Sequence, residues 1–268
     1  MNWRAIKIVI QRDLIRTYQD RTRFISQLVQ PLLFLFVLGS GLGSLTKGAT
    51  GSIDLKTFMF PGILATSTLF TAMFSAVSIV WDREFGFLRE MLVAPVRRSS
   101  IIIGKALGGA LIATAQAILV LALAPVVHVP LTVPLAMTLL AEVFLLSFTL
   151  TSFGLAIVAQ IKQMQTVMGL MQMLLLPLSF LSGAMYPLSN LPQWLSVAVR
   201  LNPLTYAVHP VRTAVFNHLD VPPEVLNRLN PPITWGGWVV PIWFQLALVA
   251  SIGFGLLALA VRQFQQVE

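Results

Sequence analysis

The sequence predicts an all-α, polytopic membrane protein with six transmembrane helices and almost no soluble domain. Of its 268 residues, 56% are hydrophobic and only 10% are charged, whereas a soluble domain carries about 25% charged residues. The mean hydropathy of +0.81 points the same way. A helix that crosses a bilayer needs about 20 apolar residues, and six stretches meet this requirement. They are residues 24–45, 57–81, 101–127, 132–161, 164–186 and 238–262. We therefore expect one membrane domain over residues 1–268.

Residues 1–23 precede the first span and predict an amphipathic helix that lies in the membrane interface. Apolar residues recur there at helical spacing, with Arg12, Arg16 and Asp20 on the other side. The apolar residues are Trp3, Ile6, Ile10, Leu14 and Tyr18. A solvated basic tail is the alternative for this segment.

The distribution of lysine and arginine predicts that both termini lie in the cytoplasm. With the N-terminus inside, thirteen of the 18 basic residues fall in cytoplasmic segments, and such segments carry an excess of Lys and Arg in membrane proteins. Topology and contact with anionic lipid therefore account for the net charge of +8. Nucleic acid is not an expected partner.

Two connections between the predicted spans are long. Residues 82–100, DREFGFLREMLVAPVRRSS, are cytoplasmic in this orientation. Residues 187–237 are outside, and their first part is too apolar for a free loop, yet Pro192, Pro203 and Pro210 interrupt it. We expect two short helices there that dip into the membrane or lie on it, because re-entrant backbone is tolerated where protein buries it or water reaches it.

The rest of the outer connection contains residues that predict the start of a helix, a loop and an aromatic belt. Asn202 followed by Pro203 suits the N-cap and first position of the second short helix. Residues 218–237 contain four prolines and predict a loop. Three tryptophans near the last span fit an aromatic belt at the membrane surface. They are Trp235, Trp238 and Trp243.

Motifs for catalysis or metal binding are absent from the sequence. No G-x-x-x-x-G-K-[ST] phosphate loop occurs, since Gly104-Lys105 is followed by Ala106. The three histidines are isolated, no G-x-S-x-G surrounds a serine, and there are no cysteines. Neither catalysis by this chain alone nor a metal site is expected.

Glu142 is the one acidic residue well inside an apolar span, in LLAEVFLLSF. A carboxylate there costs about 2.5–3.5 kcal/mol on insertion scales, so it should face the bundle or a cavity. The sequence leaves two roles open: a polar point on a transport pathway, or a structural carboxyl that is protonated or hydrogen-bonded to a neighbouring helix.

Gly104 and Gly108 form a G-x-x-x-G in the third span. Small residues at this spacing let helices approach closely. We expect packing within the chain, with a dimer contact as the weaker alternative.

Three stretches together resemble the permease subunits of ABC-2 type exporters, the group that includes daunorubicin-resistance and nodulation-factor export permeases. They are DREFGFLREMLVAPVRRSSIIIGKALGGA (82–110), FLSGAMYPLSNLPQW (180–194) and RLNPLTYAVHPVR (200–212). With the N-terminal helix and the six spans, the similarity covers essentially the whole chain. It implies a half-transporter in a plasma (inner) membrane of bacterial type. Two permease copies, expected to form a homodimer, would lie above two separate ATPase subunits that bind ATP and magnesium, and this chain itself would hold no cofactor.

The resemblance also implies that residues 84–94 form a coupling helix held against the ATPase. Apolar side chains would anchor in a groove and charged ones would set the orientation. The apolar residues are Phe85, Phe87, Leu88, Met91 and Leu92, and the charged ones are Glu84, Arg89 and Glu90. An amphipathic helix on the membrane surface is the alternative.

In the family, the first and fifth spans approach a two-fold axis, which implies a transport path near them. The candidate path residues are Gln30, Glu142, Met168, Met171, Gln172 and Met173. The candidate outer gate residues are Tyr186, Trp194 and Tyr206. Methionines suit adaptable apolar binding, although they suit lipid-facing and core positions equally well.

The resemblance implies export, and the mostly apolar spans favour an amphipathic drug-like molecule, a natural product or a lipid as the substrate. A lipid-linked glycan is the alternative within the same architecture, and an ion-coupled secondary transporter is the alternative class. A secondary transporter would more often show paired broken helices in two halves, which this sequence does not show. Dependence on ATP through a partner, rather than on an ion gradient, distinguishes the two classes.

Overall fold

Helices form most of the chain that the computed structural model describes. The described residues are 2–41, 43, 54–87, 96–188, 191–219, 222–235 and 237–267. Their helices, in chain order, are α1 (Trp3–Gln19), α2 (Arg21–Leu32), α3 (Leu55–Ala76), α4 (Ser78–Glu84), α5 (Arg98–Leu121), α6 (Val133–Val158), α7 (Met164–Phe180), α8 (Gln193–Leu201), α9 (Thr205–Phe216), α10 (Pro223–Leu229) and α11 (Ile242–Val267). A π-helical stretch, Leu33–Leu38, and a further turn, Gly39–Gly41, extend α2. Two short strands, β1 (Thr234–Trp235) and β2 (Trp238–Val239), pair antiparallel.

Four described helices are long and apolar enough to cross a bilayer. They are Leu55–Glu84, which joins α3 and α4, Arg98–Leu121, Val133–Val158 and Ile242–Gln266. Two shorter apolar helices, Ile25–Gly41 and Met164–Phe180, correspond to the predicted first and fifth spans. A mostly helical, polytopic membrane protein is thereby confirmed, while the count of six spans stays a prediction.

Helix α6 packs against α3, α5, α9 and α11 and so lies at the centre of the bundle. Small residues bring these helices close together. A Cβ added at Gly154 of α6 would meet Ala76 of α3, and one at Gly253 of α11 would meet Thr149 of α6. The Thr149 hydroxyl donates to the carbonyl of Val249 at 3.0 Å, so a hydrogen bond accompanies the close approach.

Helix α1 packs along α5. A Cβ at Gly104 would lie 2.8 Å from Cβ of Val9, and one at Gly108 would lie 3.6 Å from Cα of Ile10. The prediction that the G-x-x-x-G packs within the chain is therefore confirmed. The buried residues of α1 are Ala5, Ile6, Val9 and Asp13. Trp3 and Tyr18 remain exposed, so α1 keeps exposed aromatic surface near both of its ends.

The two predicted short helices of the outer segment are present as α8 and α9. Helix α9 begins at Thr205, two residues later than expected, but Asn202 Oδ1 still accepts from the backbone N–H of Leu204 at 3.0 Å. The prediction of a loop over residues 218–237 is wrong in part, because α10 and strand β1 lie there. Gly237 joins the strands with a φ of +90°, a conformation that a Cβ disfavours.

Candidate functional site

Buried charges join three helices at the end of the bundle that faces the cytoplasm in the predicted orientation. The ammonium of Lys105 (α5) donates to carboxylates of Asp13 (α1) at 3.0 Å and Asp82 (α4) at 2.7 Å. It also donates to Oγ of Ser78 at 3.0 Å. The charged side chains are at most 6% exposed. Burial of such charges is tolerated because each has a partner.

Two arginines of α1 complete this network. Arg12 Nη2 donates to Asp82 and lies 3.2 Å from Oδ1 of Asp13. Arg16 Nη1 lies 3.5 Å from Oδ1 of Asp82, and its guanidinium lies over the ring of Trp81, 5.7 Å from the centroid. We call Arg12, Asp13, Arg16, Asp82 and Lys105 the charge lock, because together they hold α1, α4 and α5.

The sequence interpretation used Lys105 only as a topology signal and missed the charge lock. One signal was available, because Lys105 stands two turns inside an apolar helix, where an ammonium requires a partner. Its partner Asp13 is 92 positions away in the sequence. Helical spacing relates residues three or four apart, so it does not predict that pairing.

The chain that follows the charge lock exposes aromatic side chains. Helix α4 ends at Glu84, and the chain turns at Gly86, which has a φ of +83°. Phe85 is 62% exposed and Phe87 is 54% exposed, even though the ring of Phe85 stacks on Trp81 with centroids 5.2 Å apart. The remaining predicted coupling residues, Leu88, Arg89, Glu90, Met91 and Leu92, lie outside the described residues.

Arg83 fastens the same helix end to the connection between α6 and α7. Its guanidinium donates to the carbonyls of Ile161 at 2.6 Å and Ala159 at 2.9 Å. Carbonyls at a helix C-terminus carry a partial negative charge that favours a cation. The base of the predicted coupling segment is thus tied to α1, α5 and the end of α6.

A cavity of about 530 Å³ opens beside the charge lock, where α1 meets α2. Helices α3, α4, α5 and α7 supply the rest of its wall. Asp13 and Ser78 belong both to this wall and to the contacts of Lys105. Met168, a candidate path residue, also lines the cavity. Pockets of this volume accommodate small organic molecules.

The other candidate path residues lie in different surroundings. Gln30, Gln172 and Met173 are exposed on the two shorter apolar helices, whereas Met171 is buried in the core. Glu142 is 9% exposed, and its Oε2 atom has no hydrogen-bond partner among the described residues. Of the six candidate path residues, Met168 alone lines the cavity. Within the described part of the chain, no cluster of three His, Cys, Asp or Glu side chains suits a metal ion.

At the opposite end, two of the sequence stretches that carry the family resemblance interlock. Asn202 Nδ2 donates to the carbonyl of Leu178 at 2.8 Å. Arg212, which is 1% exposed, donates to the carbonyls of Gly183 and Ala184 at 2.7 and 3.0 Å. Its guanidinium also lies 4.7 Å from the ring centroid of Phe58 in α3. We call Phe58, Gly183, Ala184 and Arg212 the outer clasp, because they join α3, the end of α7 and α9.

The three candidate gate residues do not share one environment. Trp194 is exposed and Tyr186 is half-buried, while Tyr206 is buried. The Tyr206 hydroxyl donates to the carbonyl of Arg200 at 2.8 Å and accepts from the indole N–H of Trp235 at 2.9 Å. Tyr206 therefore joins α8, α9 and the β1–β2 ladder in this structure.

Comparison with known proteins places these features in context. A family model described as "ABC-2 type transporter" matches residues 4–216. The chain is 32% identical over 216 residues to "Probable multidrug ABC transporter permease YbhR" of Escherichia coli K12, covering 79% of this chain and 54% of that protein. It is 27% identical over 199 residues to "Nodulation protein J" of Rhizobium leguminosarum bv. trifolii, covering 72% and 74%. It is 26% identical over 269 residues to "Probable doxorubicin resistance ABC transporter permease protein DrrC" of Mycobacterium tuberculosis H37Rv, covering 93% and 90%.

Proposed function

The chain belongs to the ABC-2 type transporter family, and from this premise we propose that it is the permease subunit of an ATP-driven exporter. Its substrate is an amphipathic drug, natural product or lipid, which it moves out of the cytoplasm or the inner leaflet. A separate ABC ATPase subunit, in two copies, binds ATP and magnesium and hydrolyses the ATP. Two copies of this chain form the membrane part in a plasma membrane of bacterial type, with all termini in the cytoplasm.

One observation carries the proposal: exposed aromatic residues directly follow a helix end that buried charges hold in place. Phe85 and Phe87 offer large apolar surfaces at the predicted cytoplasmic end, and exposed apolar patches of this kind mark interaction sites. Asp82 and Arg83 immediately before them are bonded to other helices. A force on the aromatic residues therefore reaches α1, α5 and α6 together.

A second surface supports pairing with another copy. Gln30, Gln172 and Met173 are exposed on the two shorter apolar helices. A glutamine amide that faces hydrocarbon has no hydrogen-bond partner, and polar side chains join helices across membrane interfaces for this reason. A second copy facing this surface would supply partners and enclose a path between the two chains.

Transport then follows from movement of the ATPase subunits. ATP binding closes their dimer, and the coupling segments transmit the closure to the spans. Such coupling requires that the contacts of the permease differ between the two states. The path between the two copies would alternate its access or squeeze its contents outward.

The coupling surface is tested by co-expression with candidate ATPase subunits and purification in mild detergent. A stoichiometric ATPase that hydrolyses ATP should accompany the wild-type chain. Phe85→Ala and Phe87→Ala should each weaken that association about 30-fold, as expected for an interface anchor worth about 2 kcal/mol. Phe180→Ala is the matched control, because Phe180 is 52% exposed at the opposite end of the bundle.

Two results would contradict the proposal. If Phe180→Ala loses the ATPase as much as Phe85→Ala and Phe87→Ala do, then the weaker association does not come from a lost contact at the coupling segment. Transport that continues without ATP and stops when an ionophore collapses the ion gradients would replace the exporter with the ion-coupled secondary transporter.

Pairing of two copies has a separate test, because the chain contains no cysteine. A single cysteine at Met173 should give disulfide-linked dimers in membranes after mild oxidation. A single cysteine at Phe254 should not, since Phe254 is similarly exposed but lies on α11. Dimers of equal yield at both positions would indicate random collision rather than a specific interface.

A further inference from the structure

The cavity beside the charge lock is lined by residues of a single copy of the chain. They come from α1, α2, α3, α4, α5 and α7, so occupancy of the cavity can be tested on these residues directly. It lies next to the helix end that leads into the coupling segment. Trp81 and Ser78 line it, and both belong to α4.

The lining of the cavity is chemically mixed. Hydroxyl and amide groups line it from α1, α2 and α3, represented by Thr17, Gln27 and Ser75. Large apolar side chains line it as well. These are Phe74, Trp81, Ile112 and Met168. An amphipathic molecule can use both kinds of group, with hydrogen bonds to the polar side chains and contacts of a ring or alkyl body with the apolar ones.

Charge narrows the class of occupant. Three charged side chains line the cavity, and each already has a partner. Asp13 is paired with Lys105, Arg16 is paired with Asp82, and Asp20 also has an interaction partner. An occupant with a net charge would have to break one of these pairs or remain without an ionic partner in the cavity, and either is costly. An uncharged occupant leaves the charge lock intact.

We infer that this cavity binds an uncharged amphipathic molecule, held by the hydroxyl and amide groups of α1 and α2 and by the aromatic rings of α3 and α4. The inference rests on the proposed function, in which this molecule is the transported one at its cytoplasmic binding site. Because Asp13 and Ser78 contact both the cavity and Lys105, the occupant touches groups that hold the base of the coupling segment.

Binding is measured on the full chain in phosphatidylcholine nanodiscs, without an ATPase, by scintillation proximity. Three radiolabelled probes that each carry three phenyl rings differ in charge: triphenylphosphine oxide, methyltriphenylphosphonium and methyltriphenylborate. Triphenylphosphine oxide should bind saturably, one per chain, above the level of empty nanodiscs. The cation and the anion should each bind at least about 30-fold more weakly, because their charge stays unpaired.

Two variants narrow the cavity from different sides, Thr17→Phe from α1 and Met168→Trp from α7. Each should weaken binding of triphenylphosphine oxide at least about tenfold through steric exclusion. Thr138→Phe is the matched control. Thr138 is exposed, and its hydroxyl donates to a carbonyl four residues earlier at 2.9 Å, as that of Thr17 does.

Each outcome decides one part of the inference. Methyltriphenylphosphonium or methyltriphenylborate that binds as tightly as the neutral probe would overturn the charge argument. Neutral binding that survives both cavity variants, or no saturable binding at all, would overturn the site. The proposed function fails on a different result, the absence of an ATPase partner, so the two failures are distinguishable. Thermal unfolding of each variant confirms that only folded protein is compared.

Discussion

Replacing Lys105 by methionine removes the centre of the charge lock while keeping an unbranched side chain. In the structure its ammonium lies 3.0 Å from Asp13 and 2.7 Å from Asp82. The variant leaves two buried carboxylates facing a thioether. Arg12 still contacts both, and Arg16 remains near Asp82, so part of the compensation survives.

The expected loss of folding stability in Lys105→Met follows from the burial of this ion pair. Removing one partner of a buried ion pair costs about 3–5 kcal/mol, and the remaining arginines place Lys105→Met near the lower value. A loss of about 3 kcal/mol reduces the ratio of folded to unfolded protein about 150-fold. For a chain of 268 residues, the thermal midpoint should fall by about 6–12 °C.

Thermal unfolding in detergent, followed by tryptophan fluorescence, measures this loss, since Trp81 adjoins the charge lock. Lys162→Met is the matched control. Lys162 is exposed and forms no ion pair within the described residues, so its replacement should change the free energy of unfolding by no more than about 0.5 kcal/mol.

A double variant completes the test. In the Lys105→Met background Asp82 has already lost one of its three cationic partners, so adding Asp82→Asn should cost less there than in the wild-type chain. The double-mutant cycle should give an interaction energy of about 2 kcal/mol. If Lys105→Met unfolds at the same temperature as Lys162→Met, and the cycle shows no interaction, then the reasoning from burial and pairing is refuted.

Further predictions concern packing and polar contacts. Gly104→Leu should undock α1, because even a Cβ there meets Val9, and limited trypsin digestion should then release the N-terminal segment. Tyr206→Phe should cost about 1–3 kcal/mol, since two part-buried hydrogen bonds worth about 0.5–1.5 kcal/mol each are lost; thermal unfolding measures it. Glu142→Ala should fold stably, because Oε2 has no described partner; continued transport by that variant would exclude a pathway role. Lys105→Met and Arg212→Met should lower stability additively within about 0.5 kcal/mol, and equal transport loss in single and double variants would indicate one shared motion.

The spans could be predicted because a bilayer permits so few structures. Backbone groups in hydrocarbon must be paired within the segment, so a long apolar run has to be helical. The limits of the third span were less accurate. The apolar run predicted a span to residue 127, but α5 ends at Leu121 and the chain turns through Ala124–Val127. Pro125 explains this end, because proline has no N–H to continue the helix.

Local patterns predicted that helices approach closely but not which helices do so. The Gly104 and Gly108 pair predicted a groove on α5, and the structure fills that groove with α1. Nothing in the sequence of α5 specifies this partner. The charge lock could not be predicted for the same reason, since nothing in the sequence around Asp13 or Lys105 indicates that the two residues pair.

Residue type alone also failed to separate exposed from buried aromatic side chains. The sequence groups Tyr186, Trp194 and Tyr206 as candidate gate residues because they share the outer segment. Tyr206 is buried since its hydroxyl has two partners there, and a tyrosine or tryptophan is readily buried when its polar end is bonded. Trp194 has no such partner among the described residues and is exposed.

One continuous helix connects the charge lock to the outer clasp. The segment Leu55–Glu84 carries Phe58, which lies under the guanidinium of Arg212, and Asp82, which Lys105 holds. At 1.5 Å per residue, Phe58 and Asp82 lie about 36 Å apart along this helix. Both ends are fixed to other helices by buried charged groups, so a displacement of the cytoplasmic end cannot be absorbed there without breaking an ion pair. We therefore expect such a displacement to tilt or shift the segment, so that the clasp on α7 and α9 has to follow or release. The two distant sites should then move as one unit, which the transport loss of the Lys105→Met, Arg212→Met and double variants measures.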